Sequence, residues 1–203
     1  WNPEGTKVTF KLRANVKWHD GQPFTSKDVK CTWDRLTDKE PNFFRKNPRR
    51  SWWENIKETT VNGDREVTFH LGRPQASLLS MLASGMGPVY PCHVEARLMR
   101  TNPVGTGPFK FVEFRSNEFV RMVRNPDYWK PGLPHLDAIE QRIMPNRSTR
   151  TLALIAGELD MTSSGDVNAP VRKDILNSAP HMVCVPGPTN VSSNVLINTA
   201  KPP

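Results

Sequence analysis

Apolar and polar residues alternate over residues 6–13, where Val8, Phe10 and Leu12 stand between Lys7, Thr9, Lys11 and Arg13. This period of two is that of a strand with one buried face, and Asp20-Gly21 beyond it supplies a turn. At Thr25-Ser26-Lys27-Asp28 the signal changes. Thr25 is placed to accept an orphan backbone N–H, and Asp28 lies three residues on, near the positive end of a helix dipole. Val29, Trp33 and Leu36 follow at i, i+4 and i+7, which predicts a helix with one buried stripe. Asn62-Gly63 marks a hairpin turn before the alternating Val67, Phe69 and Leu71. A short helix is expected after Pro74, with Leu78, Leu79 and Leu82 turned inward and Ser84-Gly85-Met86-Gly87-Pro88 breaking it. A further short helix is expected from Pro91, suited to a first helical position, through Leu98.

From Phe109 the pattern returns to strands. Phe109 and Phe111, then Val120 and Met122, flank Ser116-Asn117-Glu118, a hairpin signal, and Ile139, Gln141 and Ile143 predict a third strand. Ser148 or Thr149 is expected to cap a helix carrying Leu152, Ile155 and Ala156, ended by Gly157 in the left-handed region, with Leu159 and Met161 entering a strand. Two later apolar runs span His181–Val185 and Val195–Ile197. Strands mixed with helices in this order give an α/β (mixed α+β) class. The stretch Arg100–Pro108 is the expected boundary between a unit at 1–100 and another at 101–203.

Composition narrows the picture only in part. The 203 residues carry 19 prolines, which favours many stiff turns and short elements, and a net charge of +8 concentrated in the first hundred positions. Mean hydropathy is −0.57, and no apolar run approaches the roughly 20 residues of a membrane-spanning helix. The three cysteines, Cys31, Cys92 and Cys184, are odd in number and far apart, so each is expected to be a small half-buried thiol, with no disulfide framework and no zinc site. The five histidines form no HxxxH or HExxH, and no nucleophile elbow or paired acid–base set stands out, so neither a protein-built metal site nor a catalytic residue is expected.

Several segments together resemble the family 5 extracytoplasmic solute-binding proteins of ABC importers, the peptide- and nickel-binding type. Thr9–Arg13 with Val16-Lys17-Trp18-His19-Asp20-Gly21-Gln22-Pro23-Phe24-Thr25-Ser26-Lys27-Asp28-Val29 resembles that family's opening signature of strand, Asp-Gly turn, Pro-aromatic and capped helix. Val104-Gly105-Thr106-Gly107-Pro108-Phe109 resembles its second motif, and Arg124-Asn125-Pro126-Asp127-Tyr128-Trp129 its third. Gly157-Glu158-Leu159-Asp160 and Asn198-Thr199-Ala200-Lys201-Pro202-Pro203 follow in the same order. Cys92 and Asn146 depart from the pattern, standing where relatives often have Lys and Asp.

The resemblance implies the first lobe of a two-lobed (class II) periplasmic-binding-protein fold, with mixed sheets flanked by helices. Residues 1–100 would form the inserted subdomain and 101–203 part of the main sheet domain, the second lobe lying outside the chain. It further implies a periplasmic or other extracytoplasmic location, a peptide-like or other small solute, an ABC permease as partner, no cofactor, no nucleic acid and a monomeric state. The segments expected near the cleft supply Trp52, Trp53, Ser84, Gly85 and Met86, then Thr162, Ser163 and Ser164, with Asn198 at the hinge. Physically, indoles wall a pocket, a thioether adapts to a side chain, and hydroxyls pair with amides. The competing reading of the same residues is core indoles and capping serines. An alternative function is an interaction module binding an anionic partner through Arg45-Lys46-Asn47-Pro48-Arg49-Arg50, four basic groups beside two tryptophans.

Overall fold

A computed structural model describes residues 1–37, 39, 50–162 and 164–185. The chain divides into two units, Trp1–Ile143 and Met144–Pro203. The architecture is mixed α/β, as the sequence predicts.

In the first unit, β1 (Lys7–Lys11), β2 (Ile56–Val61) and β3 (Glu66–Leu71) form an antiparallel sheet in the order β1-β3-β2. Register pairs Val8 with Phe69 and Phe10 with Val67, so the alternating apolar residues fall on one face. That face is covered by α1 (Ser26–Leu36), which contributes Val29, Trp33 and Leu36. The opposite face carries Lys7, Thr9, Thr60, Thr68 and His70, with Thr9 and Thr68 hydroxyls 2.8 Å apart and Thr60 Oγ1 2.9 Å from His70 Nε2. Edge-to-face rings run through the core from Phe10 to Phe69 to Trp33 to Trp53, a geometry that adds to their area burial.

The expected capping box forms: Thr25 Oγ1 accepts from the start of α1, and the Asp28 carboxylate accepts the Thr25 N–H at 2.9 Å. The same carboxylate accepts from Trp18 Nε1 and the Cys92 N–H at 3.3 and 3.2 Å. Thr32 takes the Tyr90 N–H at 2.8 Å. Segment 90–92 is therefore strapped to α1, and the strap is covalent. Cys31 and Cys92 form a disulfide with Cα atoms 6.3 Å apart, which corrects the expectation of three separate thiols; only Cys184 remains a free cysteine.

After α2 (Arg50–Trp53) and the hairpin, α3 (Leu78–Ala83) buries Leu78 but leaves Leu79 exposed. Leu82 and Met81 pack against the same core, as expected of Leu82, but the expected inward turn of Leu79 is not found, because it lies off the stripe that Leu78, Met81 and Leu82 share. From Pro91 the chain makes successive turns and a 3-10 segment at Leu98–Arg100, with no α-helix. The strap to α1 occupies the segment instead.

A second antiparallel sheet holds β4 (Phe109–Arg115), β5 (Phe119–Arg124) and β6 (Ala138–Arg142) in that order. Asn117 takes a positive φ of 63° in the β4–β5 turn. One face presents Phe111, Phe114, Val120, Met122 and Ile139. The other presents Glu113, Arg121 and Glu140, with Arg121 Nη2 2.8 Å from Glu140. The Trp129 ring carries two cations over it, Arg13, whose Cζ is 4.5 Å from its centroid, and Lys130, whose Nζ is at 5.0 Å.

In the second unit, α4 (Arg147–Ile155) and α5 (Ala169–Ser178) pack on each other, with Ala153, Leu154, Ile175 and Ala179 buried. The cap of α4 is Asn146, whose side chain accepts the Thr149 N–H at 3.1 Å. This displaces the expected Ser148 or Thr149, which lie inside the first turn. Leu152 points outward, and Gly157 ends the helix at a φ of 75°. Leu159–Met161 does not form a strand, nor do residues 181–185 form a regular element. Val195–Ile197 lies outside the described residues.

Candidate functional site

Trp52 and Trp53 are neighbours on α2, and so on different faces of it. Trp53 is 1% exposed and belongs to the core, whereas Trp52 is 46% exposed. The turn at 84–87 sits on Trp53: a Cβ on Gly87 would lie 3.2 Å from two atoms of the Trp53 ring and 3.4 Å from Trp33. Glycine is therefore what allows the backbone to approach the two indoles. Among the described residues the buried Nε1 atoms of Trp33 and Trp53 have no hydrogen-bond partner.

The turn itself is shaped by local bonds. Ser84 Oγ donates to the Met81 carbonyl at 2.6 Å, closing α3, and accepts the Met86 N–H at 3.4 Å. Gly85 has a φ of 74°, a region that disfavours other residues. Met86 is thereby held outward, 44% exposed. In the first unit, then, α2 and this turn share one floor, Trp53, and each exposes one large apolar side chain.

In the second unit, Thr162 Oγ1 donates to Asp166 Oδ2 at 2.9 Å. Asp166 is buried and gripped by Arg150, whose Nε and Nη2 lie 3.0 and 2.5 Å from its two oxygens. Arg147 Nε donates to the Asp166 carbonyl at 2.8 Å. The bidentate Arg150 contact, then the Thr162 hydroxyl, lower the Asp166 pKa to about 2. Sequence reasoning missed this pair. Its one local signal is Arg147 and Arg150 three apart on α4, facing a single acid in Ser164-Gly165-Asp166. Ser164 begins a 3-10 turn at Ser164–Asp166. Ser163, the hinge residue Asn198 and Arg45–Arg49 of the basic segment lie outside the described residues.

A separate hollow of about 510 Å³ lies on the polar face of the first sheet, bordered by Lys7, Thr9, Thr60, Asn62, Thr68 and His70. None of the expected site residues lines it. No group of three or more His, Cys, Asp or Glu able to hold a metal ion occurs among the described residues. Among the same residues, no helix is long and apolar enough to cross a membrane.

Comparison with known proteins accounts for the recurrence of these motifs. An ABC transporter peptide-binding protein of Brucella ovis is 32% identical over 180 residues, covering 82% of this chain and 32% of that protein. The glutathione-binding protein GsiB of Escherichia coli O157:H7 is 31% identical over 158 residues, 76% of this chain and 30% of GsiB. Among solved structures, the oligopeptide-binding protein AppA of Bacillus subtilis, in complex with a nonapeptide, superposes with a TM-score of 0.75 at 26% identity. The superposition covers 88% of this chain and 36% of AppA. The chain thus spans about a third of the length of these relatives. The family in question consists of extracellular solute-binding proteins and not of enzymes. Its model matches residues 1–203, and the chain belongs to the bacterial extracellular solute-binding proteins, family 5.

Proposed function

We propose that this chain is part of the substrate-binding component of an ABC importer, capturing a peptide-like or other small solute between two lobes and delivering it to the permease. The observation that carries this reading is the family match over the whole chain, residues 1–203. Residues 1–100 act as the inserted subdomain of the first lobe and 101–203 as part of its main sheet domain. The second lobe belongs to the remaining two thirds of a relative-length protein.

Closure about a hinge at Asn198 would bring the lobes together and exclude water from the solute. On the first unit, Trp52 and Met86 offer apolar contact, while Ser84 and Gly85 shape the turn that presents Met86; Trp53 supports both from beneath. On the second unit, Thr162, Ser163 and Ser164 supply hydroxyls, with Thr162 fixed by Asp166. Apolar contacts of the first kind suit a solute's side chains, and hydroxyls of the second suit its amides.

The Cys31–Cys92 disulfide supports an oxidising, extracytoplasmic location, since such bonds persist there and are rare in the cytosol. The protein acts as a monomer that docks on the permease. Calorimetry with short peptides and glutathione tests the reading on two proteins, this chain and one extended to relative length. Binding is expected for the extended protein and is expected to be weak or absent for the 203 residues alone. Nanomolar affinity in the short chain, or no solute for the extended one, overturns it.

A further inference from the structure

His19 stands in the turn that follows the first sheet's edge strand, and its ring reaches the loop leading into β4. Nδ1 accepts the Gly105 N–H at 3.2 Å, and Nε2 lies 3.0 Å from the Gly107 carbonyl oxygen. A peptide N–H only donates and a carbonyl oxygen only accepts. One form of the ring satisfies both: neutral imidazole with its proton on Nε2. The backbone reinforces the contact, with the His19 N–H donating to the Gly105 carbonyl at 2.8 Å and Lys110 Nζ to the His19 carbonyl at 3.1 Å. The Gly107 carbonyl also accepts from the buried Asn125 side chain at 3.0 Å. A Cβ on Gly105 would meet His19 Cε1 at 3.3 Å, so the ring fits closely against a glycine.

We propose that His19 is a pH-sensitive latch, holding the Trp18–Gly21 turn to the Gly105–Pro108 loop while neutral and releasing it when protonated. An imidazolium places Nδ1–H against the Gly105 N–H, two donors facing each other. The charged and titratable groups around the ring are Lys110 from β4 and Asp20 from the turn, with His93 beyond, its Nε2 2.6 Å from Asp20 Oδ2. Burial sets the His19 pKa below the usual 6.5, and Lys110 acts in the same direction. The Gly107 carbonyl and Asp20 oppose them without reversing the shift. The folded state thus binds the His19 proton less readily than the unfolded chain. The latch's contribution is complete above 6.5 and is lost as pH falls through the lowered folded value.

Nitrogen-detected NMR and amide exchange on the 203-residue chain test this. The His19 ring is expected to carry its proton on Nε2 at about pH 7.5 and to titrate with a midpoint below 6.5. Corrected for intrinsic exchange, the Gly105 amide is expected to exchange at least about tenfold faster at about pH 5 than at about pH 7.5. His19→Asn, whose Oδ1 can accept the Gly105 N–H at either pH, should abolish that acceleration. His93→Gln, which removes the neighbouring titration, should retain it. A proton on Nδ1, a midpoint at or above 6.5, or an equal acceleration in His19→Asn overturns the proposal. The tautomer and midpoint in the unaltered chain decide the matter if a variant does not fold.

Discussion

The two sheets of the first unit are both three-stranded, antiparallel and built of short strands, yet they are finished in different ways. The first has α1 laid on its apolar face, so that Val8, Ile56, Val67, Phe69 and Leu71 are all buried. No residue of β4, β5 or β6 is fully buried, and Phe114 is 55% exposed. An amphipathic sheet is stabilised by whatever covers it. The first sheet carries its cover within about 30 residues of its edge strand. The second depends on half-buried apolar contacts and on charge pairs that water screens. The expected division of labour is a cohesive half that holds the candidate turn in place and a half whose surface is available.

Mutation can break that comparison. Trp33→Ala, which removes the ring joining Phe69 to Trp53, is expected to cost about 3–5 kcal/mol in chemical denaturation. A loss below about 1 kcal/mol would mean that the aromatic relay does not hold the first sheet to its helix. Replacing Cys31 and Cys92 together by Ser should cost about 2–4 kcal/mol and remove any effect of reductant on the unfolding midpoint. Thr25→Ala deletes half of the capping box and should cost about 1 kcal/mol. Phe114→Ala, on the exposed face of the second sheet, should cost under about 1 kcal/mol. A cost matching that of Trp33→Ala would show the two sheets to be equally covered in solution.

Outside both sheets, Asp166 serves as a control. Its folded pKa of about 2 lies below the ordinary 3.8. Its contribution is therefore complete above 3.8 and lost as pH falls through about 2. Carbon-detected titration should find that midpoint moved up toward 3.8 in Arg150→Ala, with the resonances of β1–β6 unchanged.

What could be read from the sequence was local. Thr25 and Asp28 lie one turn apart and Val29, Trp33 and Leu36 on one stripe, so α1 and its cap need no distant partner to be foreseen. Asn62-Gly63 sets its hairpin for the same reason. The cap of α4 was ambiguous because Asn146, Ser148 and Thr149 can all accept a backbone N–H. The sequence does not say which one lies outside the helix. α5 went unseen, although Asn168 followed by Pro170 is a start signal, because only Val171 and Ile175 mark its apolar stripe.

The disulfide and the Arg150–Asp166 pair join residues 61 and 16 positions apart, and no local pattern encodes such proximity. At the candidate site, the sequence marked the Trp52-Trp53 pair and the Ser84–Gly87 turn. Which indole faces water was set by the helix phase of α2 against the Trp33 ring.

Trp129, with Arg13 from the end of the first sheet and Lys130 from its own loop over its ring, gives the molecule an optical gauge. Any motion that separates Arg13 from that ring changes the electrostatic field across one indole. Fluorine-labelled tryptophan would resolve it from the other five. Its resonance would then follow the spacing of the two halves of the first unit directly, in the same samples and at the same time as the solute titration.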